Sequence, residues 1–150
     1  MIIDTSVIIA MFKKEPEAAA FATLIDEASI ARISAGTYVE LAVVIDRGRD
    51  AVASGALDSF LQKSRIQVEP LTASQARIAR AAHQRFGRGS GHAARLNMGD
   101  CFSYALARDL GEPLLFKGDD FTLTDIEIVT EPIKHRRLSE IVASYGTSSP

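Results

Sequence analysis

Apolar residues along this chain fall into short blocks set between longer amphipathic stretches, and the two kinds alternate from the first residue to the last third. The opening run MIIDTSVIIAMF reads as a buried strand over residues 2 to 4 and its exit. Glu15-Pro16-Glu17, with proline and acids in a first turn, opens a helix through about Ala28. Ala31 to Ser34 is a second short strand. Gly36-Thr37 leads into a helix over YVELAVVI, another helix covers Val52 to Lys63, and Ile66 to Val68 is a strand closed by Pro70. Thr72 to Phe86 is a helix opened by a hydroxyl cap, GRGSGH is a glycine-rich loop, and Gly99 to Asp109 is a helix stopped at Gly111-Glu112-Pro113. PLLF then reads as a buried strand, FTLTD as a loop, IEIV as a last strand and HRRLSEIVASYGTSSP as a terminal helix that frays.

Short apolar strands separated by helices imply an α/β fold with a mostly parallel sheet covered on both faces, because parallel neighbours need crossover connections. Ligands of such sheets collect outside the carboxyl ends of the strands. Asp4 ends the first strand and Asp119 and Asp120 follow PLLF, so both can reach that edge.

Composition narrows the class. With 150 residues and 47% apolar content the chain suits one domain with a real core. No run is long enough to span a membrane and the first apolar block lacks a basic leader, so a cytoplasmic protein is expected. The single cysteine, Cys101, lies in the apolar stretch CFSYALA and reads as a small buried hydrophobe. Net charge is −2, without the excess of base common in nucleic-acid binders. Its distribution is uneven: from Pro70 to Gly99 there is no acid, while Arg77, Arg80, Arg85, Arg88 and Arg95 fall there with His83 and His92. Such a stripe is either a solvated helix face or a contact surface for an anion.

The acids carry the chemistry. Glu40 sits among apolar neighbours with no polar face to hold it in water, and Asp100 stands where a helix begins. Each acid alone has an ordinary role: Asp4 capping a turn with Thr5 and Ser6, Asp100 capping its helix, Asp119 and Asp120 making an acidic turn. Together, brought to one sheet edge, they would repel one another unless a cation neutralised them. An oxygen-only donor set suits Mg²⁺ or Mn²⁺, and His83, His92 and His135 are too isolated for zinc.

DTS after an apolar strand, YVE in a helix, LNMGDCFSYALA and PLLFKGDDFTLTDI, in that order, resemble the PIN-domain ribonucleases, and in particular the VapC-type toxins of bacterial toxin–antitoxin pairs. The resemblance covers roughly Met1 to Val129. A PIN domain over 1–131 is expected, with 132–150 as a partly helical tail of the same domain that the resemblance leaves unexplained. The resemblance implies a metal centre with Asp4 and Asp100 as principal ligands and Glu40 completing the cluster, and a fourth acid from Asp119 or Asp120. Thr5 or Ser6 would orient Asp4 or a metal-bound water, and Asn97 would position the start of the Asp100 helix. The implied reaction is endonucleolytic hydrolysis of RNA by a metal-activated water, with tRNA or rRNA as the kind of target. Glu40 or the late Asp would take the proton of that water or hold a second metal. On this reading Arg85, Arg88, His92, Arg95 and Lys117 contact RNA, and the glycines at 87, 89 and 91 let their loop mould to it. A VapB-type antitoxin and a homodimer are the implied partners, with the apolar helices Thr37 to Ile45 and Val52 to Leu61 as candidate contact faces.

Two other classes compete. A Mg²⁺-dependent phosphatase or phosphoreceiver would use Asp4 as nucleophile or phosphate acceptor, but such a phosphatase should carry a second Asp where this chain has Ser6. A non-catalytic PIN-like module would bind RNA or a partner, but it need not retain every acid.

Overall fold

Four strands, all parallel, lie in the order β3-β2-β1-β4: β1 (Ile2–Ile3), β2 (Ala31–Ser34), β3 (Ile66–Glu69) and β4 (Leu114–Leu115). Among the described residues six helices accompany them: α1 (Thr5–Phe12), α2 (Ala18–Glu27), α3 (Ala35–Asp46), α4 (Ala51–Lys63), α5 (Ala73–Phe86) and α6 (Met98–Leu110). This computed structural model describes residues 1–48 and 51–129; residues 130 and 131 of the expected domain and the expected tail helix lie outside them. No helix among the described residues is long and apolar enough to cross a membrane.

Strands of two to four residues make few ladder bonds, so the sheet depends on what covers it. Alternation along β1 sends Ile2 to one face and Ile3 to the other. Ile2 and Leu114 join Phe86, Leu96, Tyr104, Leu106 and Phe121 in a core under α5 and α6. Ile3, Ile33 and Leu115 join Val7, Ile8, Leu41, Leu57 and Leu61 in a second core under α1 to α4. Each fully buried aliphatic side chain stabilises the fold by roughly 1.5–3 kcal/mol, more than any single bond in so short a ladder.

The helix starts follow their caps. Thr72 and Gln75 form a reciprocal capping box on α5, and Asn97 and Asp100 form one on α6. Gly111, at φ 62°, ends α6 in the left-handed region that glycine adopts at low cost. Gly36 has a different reason: a Cβ there would lie 2.6 Å from the Phe102 ring, so its absence lets α3 approach α6.

Two elements differ from the sequence expectation. The exit after residue 4, assigned no element from the sequence, is the helix α1. Asp4 ends the strand by accepting a hydrogen bond from the Ser6 amide, and Val7 and Ala10, one helical turn apart, are both buried. Core burial there overrides the strand preference of a β-branched run. IEIV is a single bridge to β4 and not a full strand: Leu114 N donates to Glu127 O and Val129 N to Leu114 O, both at 2.9 Å. A two-residue β4 offers little more to pair with.

The chain leaves β1 towards β2 on one side and later returns from β3 to place β4 on the other. The crevice at this reversal lies between the carboxyl ends of β1 and β4, where Asp4 and the Lys117–Asp120 segment emerge.

Candidate metal centre

Asp4 is 4% exposed and its carboxylate is held on both oxygens. Oδ2 accepts from the Ser6 amide at 2.9 Å and the Ser6 hydroxyl at 2.7 Å, and Oδ1 accepts from the Ser103 hydroxyl at 2.7 Å. The turn-cap role and the site role of this residue are therefore compatible: the same geometry that starts α1 aims the carboxylate. Of the two hydroxyls after Asp4, Ser6 holds it, whereas Thr5 donates to Glu40 Oε2 at 2.7 Å. Ser6 Oγ also accepts from the Lys117 amide at 3.0 Å, tying the ends of β1 and β4 together.

Glu40 reaches back from α3 to the first turn of α6. A Cβ on Gly99 would lie 2.0 Å from Glu40 Oε1, so the carboxylate occupies the space that a side chain at 99 would need. Burial raises the Glu40 pKa; the Thr5 hydroxyl lowers it and the Asp4 charge raises it further, leaving it above the usual carboxylate range. Asp100 closes the α6 capping box, accepting from the Asn97 amide while its own amide donates to Asn97 Oδ1. Asn97 thus positions the start of this helix as expected. Burial pushes Asp100 up; the Asn97 amide opposes this, and the charges of Asp4, Asp120 and Glu40 add to it, bringing it to about 7.

That charge pattern separates the two late acids. Asp120 bears on Asp100. Asp119 instead builds the turn, its carbonyl accepting from the Thr122 amide at 3.1 Å and hydroxyl at 2.7 Å. Both late acids are exposed.

Among the described residues no lysine or arginine is ion-paired with Asp4, Glu40, Asp100, Asp119 or Asp120. Nor do any three His, Cys, Asp or Glu side chains there stand close enough to clasp an ion by themselves. The donor set is all oxygen, partly buried, mutually repulsive and without a protein cation. It fits a hard divalent ion that keeps much of its own water and takes one or two direct carboxylates, and it does not fit a dehydrated cage. Cys101 takes no part; burial raises its thiol to about 11.

The basic residues are less uniform than the sequence stripe. Lys117, expected to meet phosphate, is bound to Glu15 and Glu17 in the segment after α1. Arg85 pairs with Asp125 at 2.8 Å, an acid that also accepts from Tyr104, and its guanidinium lies 4.5 Å from the Phe86 ring centre. His92 stands edge-on to Phe86 at 4.9 Å and accepts from the Ala94 amide through Nδ1, so it holds the loop's shape. Arg88 and Arg95 are exposed, and the Arg88 Nε donates to the Arg95 carbonyl. The loop itself is not the pliable segment its glycines suggested. Arg88 N bonds Leu96 O, Leu96 N bonds Phe86 O, and the Ser90 side chain bridges Arg85 O and the His92 amide. Gly89 and Gly91, at φ 90° and 84°, supply the bends of a closed loop.

Two functional features escaped the sequence. Ser103 is one turn beyond Asp100 on α6, the spacing that places two side chains on one face, and it is a polar residue inside CFSYALA. Gly99 could have been found only as a glycine inside a helix, a position that costs stability unless close approach requires it.

Comparison with known proteins bears on the family and the fold. A family model described as PIN domain matches residues 1–127. The chain is 53% identical over 127 residues to ribonuclease VapC28 of Mycobacterium tuberculosis, covering 85% of this chain and 96% of that one. In structure it is similar to Mycobacterium tuberculosis VapC20, described as a sarcin–ricin loop cleaving toxin, with a TM-score of 0.67 at 19% identity, covering 85% of this chain and 97% of that one. A toxin–antitoxin complex from Klebsiella pneumoniae is similar at a TM-score of 0.65 and 20% identity, covering 87% of this chain and 96% of that one. At those identities the structural likenesses speak for the fold.

Proposed function

The chain belongs to the PIN-domain family and to its VapC ribonuclease branch, and from that premise we propose that it is a divalent-cation-dependent endoribonuclease, the toxin of a toxin–antitoxin pair. The observation that supports the cation dependence is the cluster of Asp4, Glu40, Asp100 and Asp120, brought together at the sheet edge with no cation among the described residues paired to it.

Asp4 and Asp100 would hold Mg²⁺ or Mn²⁺, one fixed by hydroxyls and the other by a helix cap. When bound, such an ion lowers the pKa of water and offsets the negative charge that builds on a phosphoryl oxygen. Glu40, half-buried and steadied by Thr5, or the late Asp would take a proton from the attacking water or hold a second metal. Asp120, exposed, contributes charge to the cluster and would be the fourth acid of the set. Arg88 and Arg95, on the hydrogen-bonded loop before α6, would meet the RNA backbone. The substrate would be a structured RNA, such as tRNA or rRNA, reached in the cytoplasm. A VapB-type antitoxin would complement the site by placing a basic side chain among these acids, and a homodimer is the expected assembly.

A phosphatase or phosphoreceiver needs a nucleophilic Asp4, and an oxygen pair bound by two hydroxyls and an amide is poorly prepared for attack. The test is incubation of the purified protein with total RNA and Mg²⁺ or Mn²⁺, beside Asp4→Asn and Asp100→Asn. Cleavage should stop with EDTA and in both variants. Persistence in both variants would refute the metal site, and a trapped phosphoryl group on Asp4 would favour the rival.

A further inference from the structure

Ser103 and Thr37 form a buried pair of hydroxyls behind Asp4. Both are 0% exposed, and their oxygens are 3.2 Å apart. The direction of the chain follows from proton counting. Ser103 donates its single hydroxyl hydrogen to Asp4 Oδ1. Thr37 must then donate to Ser103. The sequence of donors is therefore Thr37 to Ser103 to Asp4, running from α3 through α6 to the end of β1.

The placement has a structural cause. Gly36 admits the Phe102 ring against α3, and the neighbours of these two residues, Thr37 and Ser103, are the ones that meet. Ser103 also shares a helix face with Asp100, three residues before it. One rigid helix thus supplies one acid of the cluster and the donor that orients another.

We propose that Ser103, supported by Thr37, is a positioning residue: it turns and fixes the Asp4 carboxylate so that Asp4 and Asp100 present a set separation to the cation. The proposal rests on the cation-dependent nuclease reading above. Ser6 alone secures only Oδ2, leaving the carboxylate free to rotate about that anchor; Ser103 supplies the second point.

The test compares the wild type with Ser103→Ala, Ser103→Thr and Thr37→Val for RNA cleavage, and titrates each with Mn²⁺ by calorimetry in the absence of RNA. Ser103→Ala should lower kcat about tenfold and raise the Mn²⁺ Kd about tenfold, in the range seen when partners of metal ligands are removed, with KM for RNA within about twofold. Ser103→Thr, which keeps the hydroxyl, should recover most of both losses, and Thr37→Val should show about a threefold loss of each, since it removes only the second donor. Ser103→Ala with unchanged kcat and Mn²⁺ Kd would overturn the proposal while leaving the nuclease reading intact. Equal losses in the Ala and Thr variants would overturn it as well, by showing that volume and not the hydroxyl matters. Should Ser103→Ala not fold, a Thr37→Val protein identical to the wild type in both measurements decides against it. A wild type with no cation-dependent cleavage refutes the nuclease reading itself, and the positioning role with it.

Discussion

Glu112 and Asp100 are both carboxylates drawn out of water, yet their surroundings move them in opposite directions. Burial alone would raise Glu112, but the terminal amine of Met1 and Arg32 outweigh it and hold the group below its ordinary value. Arg32 also binds Glu69 at 2.9 Å, so acids and bases there close a network across three strands. Asp100 meets the same desolvation and finds other acids beside it, rising to about 7. Lys117, next to the cluster in sequence, is spent on Glu15 and Glu17. The contrast teaches that this fold neutralises acids where it has no further use for them. Among the described residues, the one partly buried set left without a base is the set facing the crevice between β1 and β4.

The sharpest way to break the comparison is to neutralise one acid in each place. Asp100→Asn should reduce RNA cleavage about a hundredfold or more, the scale of losing a group that stabilises transition-state charge. Glu112→Gln should leave cleavage within about twofold and cost about 1–2 kcal/mol of stability, because it leaves the Met1 amine and Arg32 partly unpaired in a half-buried position. Cleavage assays and urea denaturation read the two effects separately. Equal losses of activity would mean that the two clusters do not differ in function.

A smaller change keeps every charge and moves one. Gly99→Ala places a Cβ where the Glu40 carboxylate lies, and alanine is otherwise favoured in a helix. Cleavage should fall by up to about a hundredfold, the scale of displacing a catalytic group by about an ångström, while the helix itself is retained by circular dichroism. Full activity would show that Glu40 is free to move without consequence.

The pH dependence of stability should also divide the two clusters. Asp100 has a folded pKa raised from 3.8 to about 7, so its contribution to stability is complete below about pH 4 and is lost as pH rises through about 7. Glu40 is raised as well and acts with the same sign. Glu112 is lowered, so its contribution is present above 4.5 and lost as pH falls through its folded value. In EDTA, Asp100→Asn should therefore melt several degrees above the wild type at pH 7.5 and nearly with it at pH 4. Glu112→Gln should lie below the wild type at pH 7.5, with the gap closing in acid. Parallel melting curves for the wild type and Asp100→Asn across this range would contradict the repulsion assigned to the cluster.

What could be read in the sequence followed physical distance along the chain. β2, α5 and α6 were legible because their signals are local: an apolar block, a Thr72 or Asn97 cap, and Gly111 at a helix end. α1 was not, because a β-branched run became helical through burial against α2 and α3, a tertiary effect. The acids were legible as oddities among apolar neighbours. Their partners were less so. That Thr5 serves Glu40 across 35 residues, or Ser103 serves Asp4 across 99, depends on how α1, α3 and α6 meet in the folded chain, which no local signal encodes. The basic stripe was legible only as a stripe; which members were already committed was decided by acids elsewhere, as Asp125 decided for Arg85 and Glu15 and Glu17 for Lys117.

The smallest expected effect concerns that commitment. Arg88 is exposed and makes one bond to a loop carbonyl, while Arg85 must release Asp125 before it can bind phosphate. Arg88→Gln should weaken binding of single-stranded RNA about threefold and reduce the slope of log K against log salt by roughly 0.7, the value for one lost phosphate contact. Arg85→Gln should do less on both measures. Asp125→Asn sharpens the distinction, since it frees Arg85 without adding a charge to it and should increase RNA affinity at low salt, an increase that a second change at Arg85 removes. Filter binding over a salt series with a cleavage-inactive Asp4→Asn background separates affinity from turnover. If Arg85 and Arg88 contribute equally, the pairing with Asp125 is open in solution, and that part of the surface is available to RNA in the same way as the loop beyond it.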